Sequence, residues 1–193
     1  LGRHQAANAA VALAALGVSL ECEFRSADGT RLAPQRPTAA RLEAALSAAR
    51  WPGRLEISPG DERIWWDGAH NPTGARVLAR AWREAMGETP TALVLGVTQD
   101  KEVGQFLRAL SGPWTRVYTV EADTPRAYPA EILAQQAEKI LGVPAEASAS
   151  TAEAVERARA GLARGERMLI TGSLYIVGEA MAALGEDPTI DLP

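Results

Sequence analysis

Asp67-Gly68-Ala69-His70-Asn71-Pro72 sets an acid, a glycine and an imidazole side by side. A carboxylate can accept hydrogen bonds from hydroxyls or amides, and an imidazole exchanges a proton near neutral pH. The glycine lets the backbone approach a ligand closely. Pro72 biases Asn71 away from simply starting a helix. An ordinary turn also uses such residues, so the remaining stretches have to decide. Thr171-Gly172-Ser173-Leu174-Tyr175 reads as a strand-to-helix turn. Its free N–H groups suit an anion, with Ser173 Oγ as a further donor; a plain serine N-cap accounts for it equally well. In Asp123-Thr124-Pro125-Arg126-Ala127 the guanidinium of Arg126 has the shape to fork onto a carboxylate, although a solvated surface arginine is the commoner use. In Gly96-Val97-Thr98-Gln99-Asp100-Lys101, Asp100 reads as an N-cap and Lys101 as a solvated side chain.

Other chemistries are excluded by what is absent. Cys22 is the only cysteine, and His4 and His70 are the only histidines. A disulfide framework, a cysteine-ligated zinc and a multi-histidine metal centre are therefore ruled out within this chain, and a reducing cytoplasm fits. Neither G-x-x-x-x-G-K-[ST] nor G-x-G-x-x-G is present, so NAD binding is not supported. The net charge is −4 with no basic patch, which argues against nucleic acid as a partner.

Each of those stretches lies where an apolar run gives way to an amphipathic one. Leu55 to Ser58 and Arg63 to Asp67 read as two short strands around Pro59-Gly60, and Thr73 to Met86 as a helix with Val77, Leu78, Ala81 and Trp82 on one face. Strands are expected over Thr91–Val97, Thr115–Val120, Ala145–Ala149 and Arg167–Thr171. Helices are expected over Glu102–Leu110 (capped by Asp100), Pro129–Leu141, Thr151–Leu162 and Ser173–Leu184. This alternation implies βαβ units and an α/β, Rossmann-like three-layer domain with a mostly parallel sheet. In such sheets ligands bind beyond the carboxyl ends of the strands, where all four stretches fall.

The first part of the chain is different. Gln5 to Leu16 is alanine-rich and should form a strong helix ended by Gly17. It is too short to span a membrane. Val18 to Phe24 reads as a strand, Asp28-Gly29 as a turn, and Pro34 and Pro37 as a linker. Thr38 reads as the N-cap of a helix to about Arg50, closed by Trp51-Pro52-Gly53. The opening on Leu1 and the lack of a local partner for the first helix lead us to expect a piece of a longer protein.

Order and spacing of Gly2-x-His4-Gln5-x-x-Asn8-Ala9, Trp51-Pro52-Gly53-Arg54-Leu55-Glu56, Asp67–Pro72, Asp100-Lys101, Pro125-Arg126-Ala127 and Thr171–Tyr175-x-Val177-Gly178-Glu179 resemble the C-terminal part of the folylpolyglutamate synthases. The P-G-R-L-E and D-G-A-H-N-P pair is the specific part, and Gly17 to Pro37 has no clear counterpart. These enzymes, which often also act as dihydrofolate synthases, are of the Mur ligase type. The resemblance implies an ATP-dependent ligase: the folate γ-carboxylate is phosphorylated and the amine of L-glutamate attacks the acyl phosphate. It implies ATP contacts for Asn8, Arg54 and Asp67. It places His70, as a catalytic and substrate-binding residue, and Ser173 near the phosphates and the incoming glutamate. Arg126 is a further candidate for holding substrate.

The resemblance also implies residues 1–37 as the end of an N-terminal P-loop ATPase domain and a linker, and 38–193 as a Mur ligase C-terminal-like domain. The P-loop, the magnesium ligands and a modified lysine would lie in the N-terminal domain, leaving no metal ligand in this chain and no activity in the fragment alone. Two other functions compete: a stand-alone module that binds a nucleotide or acidic ligand without catalysis, and a Mur ligase acting on a cell-wall precursor.

Overall fold

Alanine makes a helix of the first segment, and it runs further than the sequence suggests. In the computed structural model, which describes residues 3–32, 35–49, 52–98 and 102–186, α1 spans Arg3–Ser19 and passes through Gly17. One interior glycine costs a helix only about 1 kcal/mol relative to alanine. The hydrogen bonds beyond it are made: Leu20 N–H reaches Leu16 O at 2.9 Å, and Ser19 Oγ donates to Ala15 O at 2.8 Å. The strand expected over Val18–Phe24 therefore shrinks to β1 (Phe24–Arg25), which pairs antiparallel with β2 (Arg31–Leu32) around the Asp28-Gly29 turn. Helix α2 covers Ala39–Ala48, and Thr38 caps it by accepting from Arg41 N–H at 3.3 Å. The chain divides into two units, Leu1–Arg50 and Trp51–Pro193. Thus α2, placed by sequence at the start of the second domain, falls in the first unit.

The second unit holds β3 (Glu56–Ile57), β4 (Ile64–Asp67), α3 (Pro72–Met86), β5 (Thr91–Leu95), α4 (Val103–Ala109), β6 (Trp114–Thr119), α5 (Ala130–Leu141), β7 (Ala145–Ala147), α6 (Thr151–Ala160), β8 (Arg167–Thr171) and α7 (Leu174–Ala183). The strands form one six-stranded sheet in the order β3-β4-β8-β5-β6-β7. Only the β3–β4 pairing is antiparallel; β4–β8, β8–β5, β5–β6 and β6–β7 are parallel. The expected three-layer α/β fold is present. Asp100 and Lys101, like Trp51, lie outside the described residues, and Glu102 stands at the start of α4 without a side-chain cap.

Strand alternation divides the core in two. Leu93, Leu95 and Leu169 face α3, α4 and α5, where they meet Leu78, Trp82, Phe106, Leu107 and Leu133. Ile64, Trp66, Val94, Met168 and Ile170 face α6 and α7, against Val155, Ala158, Ile176 and Ala180. Residues two apart on one strand share a face, which is why the central strands are apolar throughout. On α3 the buried set is Ala75, Leu78, Ala79, Ala81 and Trp82, with Val77 only partly covered. Trp82 sits edge-on to Trp65, with ring centroids 5.9 Å apart, and lies 6.4 Å from Trp114. Burying three indoles at this point ties β4, α3 and β6 together.

Polar ties close the end of the sheet where its parallel strands begin. Glu166, just before β8, is buried and accepts from Arg116 Nη2 at 2.8 Å, from Ala163 N–H at 2.8 Å and from the Thr115 hydroxyl. Burial pushes its carboxyl up, but the hydrogen bonds from Thr115, Ala163 and Arg116 outweigh this and hold it below the ordinary range. Asp61, in the β3–β4 turn, takes a two-pronged contact from Arg63, Nε at 3.0 Å and Nη2 at 2.7 Å. Arg159 of α6 lies 3.5 Å away.

The hydrogen bond from Arg63 is the main cause that lowers the Asp61 carboxyl from 3.8 to about 2. A lowered acid stabilises the fold above its unfolded pKa, and that stability is lost as pH falls through the folded value. Allowing for solvent screening, the term is about 1–2 kcal/mol. Urea unfolding followed from pH 5 down to pH 2 should show Asp61→Asn already lacking this increment at pH 5 and flatter below pH 4. An unchanged acid limb in the variant would contradict the assignment.

Candidate functional site

At the opposite, carboxyl edge of the sheet, β4 and β8 lie side by side, with Asp67 in register with Thr171. Each runs directly into a helix. Asn71, extended at φ −143°, caps α3 by accepting from Gly74 N–H at 2.8 Å, and Pro72 takes the first turn, where its missing N–H costs nothing. Ser173 caps α7 by accepting from Tyr175 N–H at 3.2 Å. Neither helix carries an acid in its first turn. Two positive helix ends therefore open on neighbouring strands with no acid in their own first turns, an arrangement that suits an anion.

Asp67 organises the edge. It is 7% exposed; its Oδ2 accepts from Leu55 N–H at 2.8 Å and its Oδ1 from Ala69 N–H at 2.8 Å. Leu55 holds a left-handed φ of 44°, unusual for a side chain of its type and costing roughly 1–3 kcal/mol. Charge-assisted bonds to the carboxylate are strong enough to offset that cost. Gly68 N–H donates to Gly53 O at 2.7 Å, which adds a second tie between the two loops. Glu56 braces the same turn, accepting from Gly53 N–H at 3.3 Å and from Trp66 Nε1 at 3.2 Å.

Close approach explains two of the glycines. A Cβ on Gly68 would stand 2.3 Å from Leu174 Cδ2 and 3.3 Å from Gly53 O. Leu174, at the start of α7, thus lies across the joined loops. At Gly172 φ is +103°, and a Cβ would meet the backbone oxygen of Gly96 at 2.4 Å, where nothing can yield. The β8–α7 turn can only pass the end of β5 as glycine.

The functional groups follow from this frame. Arg54, between Gly53 and Leu55, is partly buried, and no hydrogen bond or ion pair among the described residues engages its guanidinium. His70 Nδ1 lies 2.8 Å from Gly68 O. A carbonyl can only accept, so Nδ1 carries a proton, and in the neutral imidazole it is Nε2 that holds the lone pair. Ser173 is 4% exposed; its Oγ serves the N-cap and retains its own O–H to donate. The structure therefore groups Arg54, Asp67, His70 and Ser173 around the β4 and β8 ends. Arg126 is exposed and lies beyond β6, two strands further along the sheet, a separation of about 10 Å. Asn8 lies on α1, in the first unit.

Three features escape the sequence. Thr171 Oγ1, at the last position of β8, is fully buried and has no hydrogen-bond partner among the described residues; it reads in sequence as one more strand threonine. The left-handed Leu55 carries no glycine or asparagine to announce it. Glu179, six positions beyond Ser173, is engaged by two other segments. A surface cleft of about 500 Å³ lies elsewhere, lined by Thr115, Arg116, Tyr118, Glu138, Pro144 and Glu146. Its arginine is already paired with Glu166, so it offers no free cation comparable to Arg54.

Comparison with known proteins identifies the family. A profile of the Mur ligase glutamate ligase domain matches residues 53–174. A probable bifunctional folylpolyglutamate synthase/dihydropteroate synthase of Haloferax volcanii is 34% identical over 180 residues, covering 93% of this chain and 20% of that protein. The dihydrofolate synthase/folylpolyglutamate synthase of Mycobacterium tuberculosis is 31% identical over 201 residues, covering 97% of this chain and 39% of that protein. The chain thus spans between 20% and 39% of the length of these relatives. Among solved structures, the Mycobacterium tuberculosis folylpolyglutamate synthase complexed with ADP and AMPPCP superimposes with a TM-score of 0.71 at 28% identity, over 80% of this chain and 37% of that one. The Yersinia pestis folylpolyglutamate synthase/dihydrofolate synthase complexed with AMPPNP and a manganese ion gives 0.68 at 25% identity, over 79% of this chain and 36% of that one. The resemblance drawn from the motifs is borne out.

Asp67→Asn tests the brace. An asparagine turns an NH2 group towards one of the two backbone N–H donors and removes the charge, so about 1.5–3 kcal/mol of stability should be lost. Amide exchange at Leu55 and Ala69 should quicken before exchange elsewhere. Wild-type protection at both amides would show that the carboxylate does not hold the turn.

Proposed function

The chain belongs to the Mur ligase glutamate ligase domain family, and on that premise we propose that it is the C-terminal part of an ATP-dependent ligase that adds L-glutamate to folate. In this proposal the complete enzyme is a cytoplasmic tetrahydrofolylpolyglutamate synthase, acting also as a dihydrofolate synthase where it is bifunctional. An N-terminal P-loop ATPase domain is its partner in cis, and the chain alone is inactive. The observation that carries the reading is the partly buried guanidinium of Arg54, which no hydrogen bond or ion pair among the described residues engages, at the edge where α3 and α7 both begin. A guanidinium and two positive helix ends together outnumber the single carboxylate of Asp67 and ask for a polyanion.

ATP supplies the phosphoryl group that activates the folate γ-carboxylate, and the glutamate amine then forms the amide bond as phosphate leaves. Arg54 neutralises charge on the nucleotide phosphates. Asp67 acts mainly by fixing the backbone on either side of it, so that Arg54 and His70 are presented together; the resemblance also implies an ATP contact for it. Asn8 takes its ATP role from the resemblance alone. His70, with Nδ1–H committed to Gly68 O, directs Nε2 at the incoming amine and accepts the proton that the amine sheds as its nitrogen bonds to the carbonyl carbon. Ser173 and the N–H groups of α7 receive a carboxylate of the glutamate, and Arg126 receives the other. Among the described residues no three His, Cys, Asp or Glu side chains gather to hold a metal; the magnesium that accompanies ATP is assigned to the N-terminal domain.

His70 and Arg54 make cleaner tests than Asp67, whose loss would orphan two backbone donors. In the complete enzyme, glutamate-dependent phosphate release with dihydropteroate or tetrahydrofolate should fall in kcat by on the order of 10²-fold in His70→Ala. Arg54→Ala should raise KM for ATP by on the order of 10–100-fold, the worth of one charge-assisted contact. Both variants should melt within a few degrees of the wild type. Wild-type turnover in His70→Ala removes the proton-transfer role. Turnover only with a muramyl precursor, or nucleotide binding without turnover, would assign the chain to a cell-wall ligase or to a binding module instead.

A further inference from the structure

Glu179 ends the Thr171–Glu179 motif, yet it neither lines the β4–β8 edge nor fills the core. Its Oε1 accepts from Asp123 N–H at 2.8 Å, and its Oε2 accepts from the hydroxyl of Thr151, the first residue of α6. Asp123 opens the β6–α5 turn that carries Arg126. The far side of that turn is tied to the loop after β5: Thr98 bridges to Ala127, and Tyr128 N–H donates to Val97 O at 2.9 Å. Within the turn, Ala127 N–H reaches Thr124 O at 3.0 Å. The Asp123 end is therefore held by a side chain from α7, and Thr151 fixes the orientation of that side chain.

We infer that Glu179 is a positioning residue that sets the distance between Arg126 and Ser173. A helix is rigid over six residues, about 9 Å, so α7 connects the N-cap at Ser173 to the carboxylate at Glu179 as a fixed strut. By accepting from Asp123 N–H, Glu179 joins the Arg126 turn to that strut. Two groups about two strands apart can then grip the two carboxylates of one amino-acid substrate at constant spacing. The inference rests on the proposed substrate-holding roles of Ser173 and Arg126, and it extends them to a residue that touches no substrate.

The test compares Glu179→Leu, Glu179→Gln and Arg126→Ala in the complete ligase by hydrogen exchange of residues 121–127 and by steady-state kinetics. Glu179→Leu should speed exchange of that segment and raise KM for glutamate about tenfold, with kcat and KM for ATP within about twofold of the wild type. Glu179→Gln should restore both, since its amide oxygen accepts from Asp123 N–H while its NH2 donates to Thr151 Oγ1. Arg126→Ala should raise KM for glutamate about tenfold. Unchanged exchange in Glu179→Leu overturns the inference, as does a proportional loss of stability, kcat and both KM values in Glu179→Leu and Glu179→Gln alike. A wild-type KM in Arg126→Ala, with exchange still quickened in Glu179→Leu, overturns the reading of Arg126 and the functional half of the inference with it, while the tether stands.

Discussion

A single buried carboxylate joins the end of β4 to the turn before β3. Asp67 accepts the N–H of Leu55, twelve residues earlier, and the N–H of Ala69, two residues later. Neither amide has a place in the sheet ladder, and the left-handed φ of Leu55 is a conformation that the local sequence does not favour. Burial of an unpaired carboxylate would be costly, and burial of two unpaired amides nearly as much so. Each makes the other tolerable. What they fix between them is the position of Arg54 on one side and His70 on the other.

The same economy governs charge across the sheet. Where the parallel strands begin, Glu166 and Arg116 satisfy one another, with Thr115 and Ala163 completing the acid. That end is electrically closed. At the carboxyl edge two helix starts without acids and a guanidinium without a partner among the described residues stand against the one carboxylate of Asp67, whose oxygens serve backbone amides. Leaving positive potential uncompensated destabilises a fold slightly, and it is useful only where a negative ligand arrives to supply the missing charge. The contrast between the two edges, more than any single residue, is what supports the proposed site.

Strand order then decides which groups meet. β4 and β8 are neighbours in the sheet although α3, α4, α5, α6 and three strands separate them in the chain. That adjacency brings Ser173 to Asp67 and His70, and it lays Leu174 across the glycines of both loops. It also explains why Gly172 must be glycine: three strand ends converge there, and the oxygen of Gly96 occupies the space of a side chain. The edge is built from parts that are remote in sequence and in backbone contact in space.

Much of this was legible beforehand, for physical reasons. Apolar runs alternating with amphipathic ones fixed β4, β5, β8, α3 and α7 nearly to the residue, because in-plane pleating and a 3.6-residue period leave different sequence patterns. Thr38 and Ser173 announced helix starts because their side chains replace missing backbone partners, whereas the cap at Asn71 emerged only in the structure. The motifs carried the family, and with it the expectation that Arg54, Asp67 and His70 belong to the site. Local pattern failed where a distant contact outweighed it. Gly17 did not stop α1, and the strand expected over Val18–Phe24 became only two residues long. Leu55 took a glycine's conformation because a carboxylate from the next strand holds its amide. The exposed or buried state of Thr171, the two-segment grip of Glu179 and the pairing that leaves Arg54 open while closing Arg116 were all settled by strand order. Sequence determines what each segment prefers to be; only the packed sheet decides which preferences are overruled and which charges are left facing outward.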